Sequence, residues 1–195
     1  WFPDMARTIR ETFERINFDY VIGSVHFVDG FPIDGNPHRW KSLSPDDVDR
    51  VHRAYWERMR GLAQSGLYDI AAHLDLPKKF GYRPRTEPND AIDAALDALA
   101  EADMVVEINT AGWHKPCAEA YPNVDILHRC REREIAVTLS SDAHKPDDLV
   151  RDFDRAADVL RAAGYREVAR FGPGGVRSFE PIDAAVPDAH PSTGD

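Results

Sequence analysis

Short apolar runs alternate along the chain with longer segments of mixed polarity. Five of these runs are four to eight residues long and rich in β-branched residues, which favours buried strands over helices. The predicted strands cover 20–27 (YVIGSVHF), 68–74 (YDIAAHL), 104–109 (MVVEIN), 135–140 (IAVTLS) and 168–171 (VARF).

The segments between these runs predict helices. Ser44 offers an N-cap, Pro45 suits the first helical position, and acidic residues fill the first turn of a helix that continues over 48–62. Helical signals predict three more helices, over 91–100, 125–134 and 146–163. Gly164 suits the position just after the last of them.

Strands that alternate with helices are typical of an α/β fold with a parallel sheet. An open doubly wound sheet and a (β/α) barrel would both give this order. The barrel is favoured because polar residues close one strand after another, which is where barrel enzymes build their sites. These residues are His26, His73, Glu107 with Asn109, and Asp142 with His144. Five strands are too few for a closed eight-stranded barrel, so either further strands lie upstream or the barrel is smaller.

A chain of 195 residues has room for one domain with a sizeable core. We expect this domain to span 1–183, and the Pro-, Ser- and Gly-containing segment 184–195 to be a disordered tail. Hydrophobic residues at 43% and charged residues at 30% are typical of soluble globular proteins. No apolar run reaches the roughly 18 residues of a membrane-spanning helix, so no membrane association is expected.

Charge and cysteine content narrow the possible functions. The net charge of −10 disfavours nucleic-acid partners, which require basic patches. It leaves open small phosphorylated substrates, because metal ions and a few local cations can dominate a phosphate site. Cys117 and Cys130 match no CxxC pattern and no disulfide framework, which favours a cytoplasmic location. The oligomeric state cannot be read from these features.

The most specific local indication of a functional site is the segment 140–144 (SSDAH). Asp142 and His144 are two residues apart at a strand end, so both can address one cavity and offer ligands to a divalent metal. For an isolated pair, a helix cap and local packing are the commoner explanation. His26 and His73 taken singly are also more often core histidines. The four together favour a shared metal site, because buried ionisable groups are costly unless they are paired or metal-bound.

Neighbouring polar residues suggest supporting roles. Asp75 follows His73 by two residues and could orient its imidazole, although a loop cap is an equal alternative. Glu107 could support a metal ligand or be a buried ion-pair partner, and we favour the ion pair. A phosphate ester also needs cations, and the candidates for that contact are Lys115, His114 and Arg177. The default expectation for Lys78, Lys79 and Lys145 is a solvated surface position.

Four blocks occur in order and at compatible spacing, namely GSVHF, HLDLPKKFG, EINTAG and SSDAHKPDD. Together they resemble the histidinol-phosphatase branch of the polymerase-and-histidinol-phosphatase (PHP) superfamily, from Trp1 to about Arg177. The resemblance implies a distorted (β/α)7 TIM-like barrel, here incomplete with about five strands. It also implies up to three divalent metals, as zinc, manganese or iron, at the C-terminal edge.

The same resemblance implies roles for single residues and a reaction. His26 and His73 would ligate one metal, Asp142 a second and His144 a third. The implied reaction converts L-histidinol phosphate and water to L-histidinol and phosphate in histidine biosynthesis, with a metal-bound water as the nucleophile.

The chain also departs from that family. The N-terminal HxH block, a further upstream histidine and a bridging glutamate are absent, and Trp113-His114 stands where relatives usually have an arginine after NTAG. We therefore expect a chain that begins just after half of its metal ligands, and a fragment that is alone unstable and weakly active or inactive. Two alternatives are another PHP-type phosphoesterase that acts on nucleotides or small phosphates, and a non-catalytic, metal-poor remnant.

Overall fold

The computed structural model describes residues 1–186. The helices are α1 Ala6–Arg15, α2 Pro37–Lys41, α3 Pro45–Gln64, α4 Asn89–Glu101, α5 Val124–Glu132, α6 Phe153–Ala162 and α7 Ile182–Ala185. The strands are β1 Ile22–Gly23, β2 Phe27–Val28, β3 Phe31–Pro32, β4 Ile70–Ala71, β5 Val105–Asn109, β6 Val137–Ser140, β7 Glu167–Phe171 and β8 Arg177–Pro181. Short 3₁₀ helices occupy Pro3–Met5, Leu76–Phe80, Thr110–His114, Pro146–Asp148 and Pro173–Gly175.

Four parallel strands form the main sheet, in the order β1-β4-β5-β6. Ile70 pairs with Ile22 on one side and with Val105 on the other, and Glu107 pairs with Thr138. The carboxyl ends of all four strands therefore meet at one edge of the sheet. The predicted α/β class with a parallel sheet is confirmed. Within the described residues this sheet has four strands, so the barrel is not confirmed.

The fifth predicted strand forms but does not join the parallel sheet. β7 pairs antiparallel with β8, and two contacts place it beside the amino ends of the main sheet. The Tyr165 hydroxyl, just before β7, donates to the carbonyl of Ile135, which precedes β6. At the other end of β7, the ring of Phe171 lies 5.1 Å from that of Tyr20, which precedes β1. The prediction of a fifth parallel strand is wrong, because an apolar run indicates burial and not the direction of the partner strand.

Both faces of the central strands β4 and β5 are buried, as their apolar sequences predict. Ala71 and Val106 face the main core with α3 and α4. Ile70 and Val105 point to the opposite face, where they pack on Ala169 of β7. Neighbouring residues of a strand alternate between faces. Glu107, two residues beyond Val105, therefore lies on the β7 side but nearer the carboxyl edge.

The predicted helices form with one correction. α3 begins with a capping box, in which Ser44 and Asp47 each accept a hydrogen bond from the other's backbone N–H. α4 and α5 also follow the prediction closely. The single helix predicted over 146–163 is wrong in its first part. Asp152 has φ of 60°, a left-handed conformation that an α-helix cannot include, so α6 begins only after it.

The end of the chain lies partly outside the described residues. Helix α7 includes the first two residues of the tail predicted over 184–195, and residues from 187 onward are not described. Among residues 1–186, no helix combines the length and the apolar character needed to cross a membrane.

Gly112 lies where the loop after β5 folds back on itself. A Cβ at this position would lie 2.1 Å from the carbonyl oxygen of Glu119 and 2.9 Å from the ring of Tyr121. Gly112→Ala is therefore expected to lower the free energy of unfolding by about 3 kcal/mol, since backbone and a buried ring must both move. Urea unfolding measures this loss.

Gly35→Ala is the matched control. Its added Cβ would meet only Pro32, at an ordinary contact distance of 3.5 Å. We expect its unfolding midpoint to stay close to that of the unaltered chain. Equal midpoints for the two variants would contradict the close packing described for Gly112.

Candidate metal centre

A cavity of about 630 Å³, here called the carboxyl-edge cavity, opens at the carboxyl ends of the parallel strands. It is lined by the four predicted metal ligands and two of the predicted phosphate contacts: His26, His73, Asp142, His144, His114 and Lys115. These side chains come from segments that are far apart in the sequence. The sheet thus brings the predicted ligands to one cavity, while their role as ligands stays a prediction.

His26 and His73 are direct neighbours in this cavity. Their ring centroids lie 4.9 Å apart and their planes meet at 71°. His73 is buried, and its Nδ1 has no hydrogen-bond partner in the described part of the chain. Burial, and secondly the nearby His26, lower the pKa of His73 to about 4. The His73 ring is therefore neutral at pH 7, which is the form that ligates metals.

The backbone of His73 is anchored by a carboxylate. The His73 N–H donates to Glu107 Oε1 at 2.6 Å, and the Asn109 side-chain amide donates to the same oxygen at 2.9 Å. Burial raises the pKa of Glu107. Among residues 1–186 no cation pairs with Glu107, so its interpretation as an ion-pair partner is wrong. It holds instead a residue whose φ of 27° is unusual.

Asp142 and His144 line the more exposed part of the cavity. Asp142 has φ of 50°, and both residues are exposed. His144 Nδ1 lies 2.8 Å from the carbonyl oxygen of Asp142, which leaves Nε2 as the ring nitrogen without a hydrogen-bond partner among residues 1–186. Within residues 1–186, no three His, Cys, Asp or Glu side chains are grouped closely enough to hold one metal ion. The donors share a cavity but do not form a complete coordination shell there.

Asp75 makes no hydrogen bond to the His73 ring within the described residues. Its carboxylate accepts hydrogen bonds from Lys78 Nζ at 2.7 Å and from the Asn123 N–H at 3.0 Å. Burial raises the pKa of Asp75 to about 6, although the charge of Lys78 opposes this. The predicted role of Asp75 is wrong, because the left-handed turn at residues 73–75 directs its side chain to Lys78. Lys78 is only 1% exposed, so its expected surface position is wrong too.

A different carboxylate contacts a predicted ligand. Asp34 Oδ2 lies 3.1 Å from His26 Nδ1, and this hydrogen bond is the largest of the effects that lower the pKa of Asp34. Lys79, which was expected at the surface, donates to the Asp34 carbonyl at 3.1 Å and lines the cavity. The sequence does contain a sign of this contact, since Asp29-Gly30 is a pair typical of a tight hairpin. Both residues have positive φ in the structure. That hairpin returns Asp34 to the side of His26.

The three predicted phosphate contacts have different surroundings. Lys115 lines the cavity, and His114 does too, but its Nε2 lies 2.5 Å from a carboxylate oxygen of Asp152. The prediction that Arg177 contacts the phosphate is wrong. Its side chain donates to the backbone carbonyl and to the carboxylate of Asp103, at the amino end of the sheet. Arg177 lies there because it begins β8, and the β7–β8 hairpin is located at the amino ends of the parallel strands. Two further cations line the cavity, namely Arg151 and Lys79, for which the sequence predicts a surface position.

Comparisons with known proteins support the resemblance. No protein-family model matches the chain. The chain is 39% identical over 166 residues to a probable histidinol-phosphatase from Deinococcus radiodurans, across 85% of this chain and 63% of that protein. It is 26% identical over 191 residues to a probable histidinol-phosphatase from Schizosaccharomyces pombe, across 89% of this chain and 60% of that protein. The chain is a homologue of these two probable histidinol-phosphatases. The predicted resemblance is thereby confirmed.

The fold is also shared with a solved structure. A histidinol phosphate phosphatase from Lactococcus lactis, complexed with zinc, L-histidinol and phosphate, superposes with a TM-score of 0.69 at 20% identity. The match covers 91% of this chain and 68% of that one. The chain spans about three fifths of the length of the two curated relatives described above.

The neutral state of His73 predicts a pH dependence of stability. Its folded pKa of about 4 lies below the ordinary value of 6.5, so between these values the unfolded state binds more protons. The free energy of unfolding therefore falls as the pH is lowered through this window. From His73 alone, we expect a loss of roughly 1–2 kcal/mol between pH 6.5 and 5 in metal-free protein.

His73→Asn should remove this contribution, because Asn tolerates positive φ and does not titrate. His128→Asn is the control, since His128 is exposed on α5. Denaturant unfolding at pH 6.5 and pH 5 gives the comparison. If His73→Asn keeps the full pH dependence of the unaltered chain, the buried neutral state assigned to His73 is wrong.

Proposed function

We propose that the protein containing this chain is a metal-dependent histidinol-phosphatase that hydrolyses L-histidinol phosphate to L-histidinol and phosphate. The observation that supports this most is the convergence of His26, His73, Asp142 and His144 on one cavity. The 39% identity to a probable histidinol-phosphatase supports the choice of substrate.

The proposed cofactors are divalent metal ions. His26 and His73 would hold one ion, with Asp142 and His144 as ligands of others. The fit is supported by the buried Nδ1 of His73, which has no protein partner in the described part of the chain, and by the 4.9 Å between the two rings. Imidazole and carboxylate donors suit zinc, manganese or iron. Such ions, when bound, supply Lewis acidity and a nucleophilic water.

Cations of the chain itself are proposed to bind the phosphate group. Lys115 lines the carboxyl-edge cavity and has no ion-pair partner among residues 1–186, although the whole chain has a net charge of −10. Lys79 and Arg151 also line it, and each keeps further N–H donors beside the one that faces its carboxylate neighbour, Asp34 or Asp148. Their charges would hold the phosphoryl oxygens and offset the negative charge that develops on them. His114 is already paired with Asp152, so we assign it to the cavity wall next to this phosphate site.

The wider setting is also proposed. We propose that the parallel sheet is part of a distorted (β/α)7 TIM-like barrel within a single domain over 1–183. The layer formed by Ile70, Val105 and Ala169 supports a curved sheet with a filled interior. Cys117 and Cys130 form no disulfide, which agrees with a reaction in the cytoplasm.

Phosphate release from L-histidinol phosphate tests this function. The protein is expressed from the full open reading frame that contains this chain and is loaded with zinc, manganese or iron. We expect faster turnover of L-histidinol phosphate than of nucleoside monophosphates. Asp142→Asn should lower kcat/KM by at least about 100-fold, because a metal ligand is lost. Asp158→Asn on the exposed face of α6 is the matched control.

Two results would replace this proposal with an alternative. Preference for a nucleotide or another small phosphate ester would point to a different PHP-type phosphoesterase. Failure to bind any divalent metal would point to a non-catalytic remnant. Rescue of a histidine auxotroph that lacks its phosphatase would support the proposed substrate in cells.

A further inference from the structure

We infer that Asp34 is a positioning residue of the proposed metal centre, because its carboxylate fixes the His26 imidazole in the form whose Nε2 can bind a metal. This inference rests on the proposed metal-dependent function. It concerns a residue that contacts His26 and not the reacting atoms.

The β2–β3 hairpin brings the two residues together. Phe27 pairs with Pro32 and Val28 with Phe31, around the Asp29-Gly30 turn. One step further out, the Ile33 N–H donates to the carbonyl of His26 at 2.9 Å. Asp34, the next residue, is thereby held beside His26 by the register of a tight turn.

The hydrogen bond between the two side chains selects one form of the imidazole. His26 Nδ1 and Asp34 Oδ2 lie 3.1 Å apart. An ionised carboxylate can only accept, so Nδ1 must donate a proton. In a neutral ring the remaining nitrogen, Nε2, is then unprotonated and can act as a ligand. Carboxylates that bond to the second nitrogen of a metal-binding histidine commonly have this effect.

Other contacts keep Asp34 in place but do not form a hydrogen bond with the His26 ring. Lys79 Nζ donates to the Asp34 carbonyl at 3.1 Å and lies 3.8 Å from its Oδ2. The buried Trp40 indole donates to the carbonyl of Ile33 at 2.7 Å. Asp34 and the neutral ring of His73 thus both lie against His26, with Lys79 behind Asp34.

Because the His26–Asp34 pair is partly exposed, its effect on the orientation of His26 can be measured separately from its effect on stability. The side chains of His26 and Asp34 are 41% and 28% exposed, so their interaction contributes little to folding. Loss of the Asp34 carboxylate should therefore leave the thermal midpoint of the metal-free protein nearly unchanged. Its effect should appear in the state of His26 and in metal affinity.

The test compares Asp34→Ala and Asp34→Asn in the full protein, with zinc as the probe. We expect Asp34→Ala to weaken zinc binding by about 10- to 100-fold in chelator competition. Nitrogen NMR of the His26 ring should show the Nδ1–H form in the unaltered protein and a mixture in this variant. Asp34→Asn should recover part of both properties, because its amide oxygen still accepts a hydrogen bond.

Asp29→Asn is the matched control, because it removes a carboxylate from the same hairpin while Asn suits the positive φ at that turn. It should bind zinc like the unaltered protein. Unchanged zinc affinity in Asp34→Ala, or an Nε2–H ring in the unaltered protein, would overturn the inference. If Asp34→Ala fails to fold, the ring form in the unaltered protein decides. Neither readout needs the substrate, so a protein that behaves as expected here but leaves L-histidinol phosphate intact overturns only the proposed function.

Discussion

The parallel register of the main sheet is the constraint on which the candidate site depends. Because β1, β4, β5 and β6 run in one direction, residues that follow different strands meet at one edge. His26, His73 and Asp142 reach a common cavity for this reason, although long stretches of chain separate them. The antiparallel β7–β8 hairpin lies at the opposite end, and the same geometry explains why Arg177 is far from the cavity.

Much of this arrangement could be predicted from the sequence. A buried parallel strand is a short apolar run, and the capping residues Ser44 and Asp47 mark the start of α3. Strand direction was not predictable, since the apolar run that forms β7 would look the same in either direction. The break before α6 was missed too, because Asp152 adopts a left-handed conformation that no neighbouring glycine announces.

Supporting residues near the site were harder to predict than the site itself. Asp75 is close to His73 in sequence, but the turn between them directs it to Lys78. Asp34 is eight residues from His26, and a hairpin brings it into contact. Separation along the chain is a poor guide where backbone conformation changes within two residues.

The central claim is that His26 and His73 bind a divalent ion together. Anomalous diffraction at the zinc edge from crystals of the zinc-loaded protein tests it directly. We predict a peak in the carboxyl-edge cavity about 2.0–2.1 Å from one ring nitrogen of each histidine. A zinc peak elsewhere, with both rings unligated, would contradict the claim.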